Sequence, residues 1–313
     1  MSDPHAASSV SVVLGRCDEM RAECVVRIPG AGAAATISGA LTGPRRGRDT
    51  TLPVTARLQS TGNAGVARAI LTEPAYWTPD LPNLYRLEAV IESGAAPPRS
   101  IDRLVGLRRL GVRGRSLWLD AHRWVPRAVA TKGVAGIDAC KPVSLAALVV
   151  DPDEATLTRA DELGVAVLAL VSATATTAVA ITDRIAGWTA HPAAVLAILP
   201  IHMPPAIVAD VATCARDRKG TLLLAATVSG TAPPPAVIPP GIDCLVVALD
   251  AAETPHDAWR SDAGLPLVAW RRDASTLAAG RAPCDALQAA LATWGTTGTS
   301  DVLPRDWAGY IVG

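Results

Sequence analysis

The sequence predicts a multidomain β plus α/β chain, an immunoglobulin-like antiparallel β-sandwich followed by a compact (β/α)8 TIM barrel. Three observations point there. Residues 9 to 94 carry short alternating or apolar runs separated by glycine, proline and polar turns. Beyond Trp124 the rhythm changes to an apolar strand followed by a helix, repeated. At 313 residues, 50% hydrophobic, the chain is long enough for one barrel and one small domain and too apolar to be disordered.

The sandwich strands are read at Val10 to Leu14, Cys24 to Ile28, Ala35 to Leu41, Leu52 to Leu58, Val66 to Leu71 and Tyr85 to Ile91. Gly30, Gly32 and Ala35 fit a loose dinucleotide fingerprint, but Thr36, Ile37 and Ser38 after them favour a strand over a helix. A tight β-turn is therefore preferred. Pro79, Asp80, Pro82 and Asn83 make a turn before the last strand, and the sandwich is expected to close near Gly94. A basic, glycine-punctuated run follows, then a hairpin with its tip at Asp120-Ala121-His122. The expected domains are 1–98 for the sandwich, 99–123 for linker and hairpin, and 124–313 for the barrel.

Barrel strands are read at Trp124 to Val129, Leu145 to Val150, Val165 to Val171, Val195 to Ile201, Thr221 to Val228, Cys244 to Leu249, Leu267 to Trp270 and Trp307 to Val312. Helix-like stretches lie between most of them, at Pro152 to Leu163, Thr176 to Thr189, Ala206 to Lys219, His256 to Ala263 and Ser275 to Trp294. Near-continuous apolar strands with helices between them indicate a parallel sheet covered on both faces. Trp77, Trp118 and Trp124 are expected to pack sandwich against barrel.

Charge and cysteines narrow the function. The net charge is zero and no extended Lys/Arg cluster exists beyond Arg45, Arg46 and Arg48 and the run from Arg99 to Arg115, so nucleic acid and anionic membranes have little electrostatic support as partners. Neither a signal peptide nor a stretch long enough to span a bilayer is evident, and a soluble cytoplasmic protein is expected. The six cysteines lack metal-ligand spacing and are expected to be reduced packing residues, with a Cys17–Cys24 bridge the one conceivable exception. No phosphate loop or nucleophile elbow appears, so no cofactor and no metal are implied.

A barrel's active site is built at the C-terminal ends of its strands. Those ends offer Asp151 and Asp153 after strand two, Ser172 and Thr174 after three, His202 after four, Thr227 and Ser229 after five, Asp250 and Glu253 after six, and Arg271, Arg272 and Asp273 after seven. Of these, Asp151, His202, Thr227, Asp250, Arg271 and Asp273, with Trp270, are the candidate ligand-binding residues. Trp270 reads either as a sugar-stacking platform or as packing. Asp250, Glu253 and Asp273 read either as a carboxylate pair or as ordinary loop and cap residues, the commoner role.

Trp77, Pro79, Asp80, Pro82, Leu84, Tyr85 and Leu87 match the phrase W-x-P-(D/E)-x-P-x-L-Y-x-L. Asp102, Gly106, Leu107 and Arg108 match D-x-x-x-x-x-F-G-(F/I)-R with a shortened spacing, and Leu119 to Arg123 stand at the L-N-G-K-P hairpin. In this order the phrases resemble glycoside hydrolase family 2, the β-galactosidase, β-glucuronidase and β-mannosidase group. Asp161-Glu162-Leu163-Gly164 matches a further framework phrase, D-E-L-G. The resemblance covers roughly residues 60 to 313 and leaves out the sugar-binding jelly roll that members carry ahead of the sandwich, so a truncated member is expected.

The resemblance implies a retaining β-glycosidase site and places its acids. His191 to His202 is similar to the family stretch H-P-S through N-E, whose Glu is the acid/base; His202 holds that position and Ile201 replaces the Asn. Leu265 to Arg271 resembles K-P through E, whose Glu is the nucleophile; Arg271 holds that position. The pocket phrase N-x-V-R-x-x-H-Y-P falls roughly on Ser144 to Pro152, and the Glu expected after the third strand falls on Leu170. Retaining cleavage needs two carboxylates about 5 to 5.5 Å apart. An arginine can be neither, because it stays protonated and offers no lone pair.

His202 and Arg271 then read as drift at a site relieved of chemical demand, or as an anion-binding pair. The favoured expectation is a pseudoenzyme with no catalytic residue, related to carbohydrate metabolism and acting in binding or scaffolding, with a carbohydrate ligand. Two alternatives remain: an active O-glycosyl hydrolase using relocated carboxylates such as Asp250 and Asp273, and a structural protein-interaction module.

Overall fold

The structure, a computed structural model, describes residues 10–28, 35–47, 49–93, 96–251, 253–260, 264–272, 280–296 and 306–313. The chain divides into two compact units. The first holds residues 1–109 with the short segments 161–164 and 186–192; the second holds 110–160, 165–185 and 193–313.

The first unit is an antiparallel sandwich of two four-stranded sheets. One sheet is ordered β1-β2-β6-β5, from β1 (Ser11–Cys17), β2 (Arg21–Arg27), β5 (Gln59–Ser60) and β6 (Val66–Thr72). The other is ordered β4-β3-β7-β8, from β3 (Thr36–Arg46), β4 (Asp49–Arg57), β7 (Leu84–Ser93) and β8 (Ala96–Val105). With the strands lettered A, B, C, C′, D, E, F and G in chain order, these are the ABED and C′CFG sheets of the immunoglobulin fold. Alternation along β2 and β6 sends Ala22, Cys24, Val26, Ala67, Ala69 and Leu71 into the core. Tyr85, at the start of strand F, is buried and its hydroxyl accepts the backbone N–H of Ala75 at 2.8 Å. That is the tyrosine corner of this fold.

β8 corrects the expected end of the sandwich near Gly94. It pairs antiparallel with β7 from Tyr85↔Val105 to Ser93↔Ala96 and forms an edge strand. Prolines and charges on an edge strand leave the ladder to its single neighbour intact, which is why Pro97, Pro98, Arg99 and Asp102 read as a spacer. The loose glycine fingerprint lies mostly outside the described residues, and Thr36 opens strand β3.

Within the same unit the framework phrases meet in one buried cluster. Trp77 is 0% exposed, and its indole Nε1 donates to the Asp161 carbonyl at 2.9 Å. His191 Nδ1 and Asp161 Oδ2 are 2.7 Å apart, both side chains nearly sealed from solvent. The buried Arg108 guanidinium donates to the Pro192 carbonyl. Burial lowers its pKa to about 10, opposed by the charge of Asp161, so it remains a cation at neutral pH. Gly164, at φ +71, lies so near the Pro79 carbonyl that a Cβ would collide with it.

The second unit opens with a three-stranded meander, β9 (Leu110–Arg113), β10 (Ser116–Leu119) and β11 (His122–Trp124), so Trp124 belongs to the hairpin and not to the first barrel strand. The hairpin tip is a two-residue turn with Asp120 at φ 48 and Ala121 at φ 62. The barrel then closes in strict order: β12 (Arg127–Thr131), β13 (Ala146–Val150), β14 (Val167–Leu170), β15 (Ala194–Leu199), β16 (Leu223–Ser229), β17 (Cys244–Asp250), β18 (Leu267–Arg272) and β19 (Gly309–Val312). Each adjacent pair is parallel, and β12 pairs with β19.

The described α-helices are α1 (Gly133–Cys140), α2 (Glu154–Leu163), α3 (Ala178–Trp188), α4 (Pro205–Ala215) and α5 (Ala282–Thr296). α1 was not anticipated, since its Gly133 and Gly136 are poor helix formers. In place of the helix expected over His256 to Ala263 there is one 3-10 turn, Asp257–Arg260, with 261–263 outside the described residues. Arg260 from that turn donates to the Trp294 and Gly295 carbonyls at the end of α5 and stacks 4.3 Å from the Trp294 ring. The connection from β16 to β17, rich in proline, has no helix. Among the described residues no helix is long and apolar enough to cross a membrane. All six cysteines are free thiols.

Candidate functional site

Side chains alternate faces along a strand, and residues paired across a parallel ladder share a face. The pairs Val150↔Leu170, Leu170↔Ile198 and Ile198↔Ala225 put these residues on one side of the sheet. Thr227↔Val246 and Val246↔Val268 carry that side to β18, where Trp270 follows two residues on. Trp270↔Ile311, Ile311↔Ala128 and Ala130↔Leu148 bring it back to β13. The other side meets the helices, since Arg127 pairs with Asp285 of α5 and a Cβ on Gly136 of α1 would meet the Thr131 side chain, so this is the lumen side. Ala130, Leu148, Val150, Leu170, Trp270 and Gly313 are among the residues that line a cleft of about 550 Å³ at the C-terminal end of the strands. A volume of this order is typical of small-molecule sites.

The mouth is apolar where the strands end. Val150 is 54% exposed, and Leu170 and Trp270 are half-buried. The Trp270 indole N–H donates to the Gly313 carbonyl at 2.9 Å, which fixes the ring. Polar groups on the rim are Thr131, Lys132, Asp151, Asp153 and Thr156.

The described carboxylates at the strand ends are engaged. Asp151, at φ +43, has Oδ2 2.5 Å from Arg184 Nη1 on α3, and its Oδ1 accepts the N–H of Ser172 at 3.1 Å. Asp153 caps α2 by accepting the Thr156 N–H at 2.8 Å, and hydrogen bonds from Thr156 hold its carboxyl below the usual range. Asp250 pairs with Arg272, its register partner across β17 and β18, at 2.9 Å. Glu253 Oε2 accepts the Asp250 N–H at 2.8 Å.

Of the candidate residues, Asp151 and Trp270 line the cleft together. Asp250 shares the Trp270 face of the sheet and is tied to Arg272. Thr227 lies deeper on the lumen side, 7% exposed, its hydroxyl without a hydrogen-bond partner among the described residues. His202 sits exposed in the turn after β15 and is not part of the cleft lining. Arg271 alternates with Trp270 and so falls on the opposite face of β18, level with Leu249 and Val312. Asp273 lies outside the described residues. Sequence reasoning missed Val150, Leu170 and Lys132 as lining residues, and Arg184 as the cation of Asp151. The alternation of β13 and β14 held the signal for the first two. An ion pair across a connecting loop leaves none.

Among the described residues no group of three or more His, Cys, Asp or Glu side chains could hold a metal ion. No family model matches the chain, and no curated protein matches it. Solved structures do. A calcium-binding mutant of Bacteroides uniformis β-glucuronidase 2 superposes with a TM-score of 0.66 at 11% identity, over 99% of this chain and 46% of that one. The β-D-glucuronidase of Dictyoglomus thermophilum gives 0.64 at 12% identity, over 97% and 61%. The B. uniformis enzyme covalently bound to cyclophellitol-6-carboxylate aziridine gives 0.60 at 12%, over 87% and 41%. The chain therefore shares its fold with these β-glucuronidases, and it spans less than two thirds of the length of each.

Proposed function

We propose that this chain is a catalytically degenerate relative of glycoside hydrolase family 2, which binds a carbohydrate-related ligand at the barrel mouth without hydrolysing it. The observation that carries this reading is the state of the strand-end carboxylates. Asp151 is paired with Arg184 and Asp250 with Arg272, while Asp153 and Glu253 are hydrogen-bonded to backbone N–H groups. A retaining mechanism needs one ionised carboxylate free to attack the anomeric carbon and a second, protonated one about 5 to 5.5 Å away. A carboxylate oxygen engaged by a guanidinium has part of its lone-pair density committed to the cation and is less available to attack carbon.

Positions taken from the resemblance support the same reading. Counted along Ser144 to Pro152, Val150 stands where the family phrase has His, and Leu170 stands where its Glu is expected. Both line the cleft. None of Trp270, Arg271 and Arg272 at the end of β18 is a carboxylate, so a shift of one residue in the match restores no nucleophile. His202 stands at the acid/base position of the resemblance with Arg271 at the nucleophile position, so a proton donor there would act alone.

The test is hydrolysis of aryl β-galactoside, β-glucuronide, β-mannoside and β-glucoside by the purified protein, alongside Asp250→Asn and Asp273→Asn. Release of the phenol at the uncatalysed rate is the expected result. Turnover that either substitution abolishes would establish relocated acids and overturn the reading.

A further inference from the structure

We propose that the main subsite of the cleft receives a flat apolar group, such as an aryl ring, and that this group rather than a sugar ring supplies most of the affinity of whatever binds there. The inference rests on the reading of the barrel mouth as a ligand site and goes on to name the chemistry of the ligand.

The lumen-side lining is hydrocarbon. Val150, with 54% of its surface exposed, is the kind of large apolar side chain that is informative when it is bared in a concavity. Leu170 and Leu148 continue the surface on one side, and Ala130 leaves room beside them. The Trp270 ring bounds the cleft from β18 and is locked by its bond to the Gly313 carbonyl, so it can pack on a flat partner without losing further rotamer freedom.

Pyranose hydroxyls need convergent polar partners, and these are scarce on the lumen-side lining, where the polar side chains, Thr131 and Lys132 among them, stand on the rim. Of the rim carboxylates, Asp151 is ion-paired with Arg184 and accepts the Ser172 N–H, and Asp153 accepts the Thr156 N–H. A sugar ring seated on Val150 and Leu170 would surrender water for hydrocarbon. A planar apolar group surrenders nothing there, and it frees the water that now covers Val150.

Calorimetric titration of the purified chain tests this with matched probes: 4-nitrophenyl and methyl β-D-glucuronide, 4-nitrophenyl and methyl β-D-galactoside, and 4-nitrophenol alone. Each aryl glycoside is expected to bind about tenfold or more tightly than its methyl counterpart, with 4-nitrophenol retaining most of the affinity. Trp270→Ala and Val150→Asp should each weaken the aryl compounds about tenfold. Val150 is exposed, so its substitution leaves folding undisturbed and keeps the test open should Trp270→Ala fail to fold. Methyl glycosides binding as tightly as aryl ones would overturn the inference and leave the saccharide reading standing. Aryl binding indifferent to Val150→Asp would overturn the placement. Binding of no probe would overturn both.

Discussion

The buried cluster of the first unit and the mouth of the barrel are both built from residues at positions that the family resemblance singles out, and they have fared differently. In the cluster, Trp77, Arg108, Asp161, Gly164 and His191 are those the framework phrases require, and their polar contacts are made. At the mouth, the His, Glu and Glu that the resemblance expects fall on Val150, Leu170 and His202, and the described acids at the strand ends are bound to arginines or backbone. Residues that hold a fold have a cost of loss paid in every molecule. On the proposed reading, residues that only perform a reaction have none once that reaction is not required.

If that contrast is sound, substitutions in the two regions should differ most in stability. Trp77→Ala, which empties a fully buried indole site and leaves the Asp161 carbonyl without its donor, should destabilise by about 3–5 kcal/mol in chemical denaturation. Asp161→Ala should approach the same range, about 3–5 kcal/mol, because it strands the buried Arg108 charge and the His191 ring. Asp250→Asn and His202→Ala at the mouth should change stability by no more than about 0.5–1 kcal/mol in the same assay. A mouth variant as damaging as Trp77→Ala would erase the distinction.

Smaller effects sharpen it. Tyr85→Phe removes the tyrosine-corner bond and should cost about 1 kcal/mol. Ala121→Gly should stabilise by about 1 kcal/mol, since Ala121 holds φ 62 in the hairpin where the family phrase has glycine.

The thiols give a pH-dependent check. Burial raises the pKa of Cys24 from 9.0 to about 12, and those of Cys140 and Cys284 to about 11, while Cys17 and Cys214 are exposed. At pH 8 a disulfide reagent should titrate Cys17 and Cys214 quickly and the other four only on unfolding. Because the folded state holds these buried thiols protonated, the stability they contribute is intact below pH 9 and is lost as pH rises toward 11 to 12.

Much of the fold was legible because its signal is local. All eight barrel strands were anticipated as apolar runs, since a strand covered on both faces cannot afford polar residues. β8 was missed because an edge strand can carry Pro97, Pro98 and alternating charges, and α1 because its glycines belie its helical state. The site was less legible. Asp151 and Trp270 were found by their place after strands, but Arg184 and Arg272 as the cations of Asp151 and Asp250 depend on loop paths and on register. Arg271 shows the limit of matching by position, because a one-residue step along β18 moves a side chain from lumen to outer face.

The most direct test of the central claim asks whether any carboxylate in the chain can act as a glycosyl nucleophile. The purified protein would be incubated with a cyclophellitol-type aziridine, the class of compound covalently bound in one of the structural relatives, and its intact mass recorded. The account predicts an unchanged mass. A single stoichiometric adduct mapping to Asp250, Asp273 or any other carboxylate at the strand ends would contradict it.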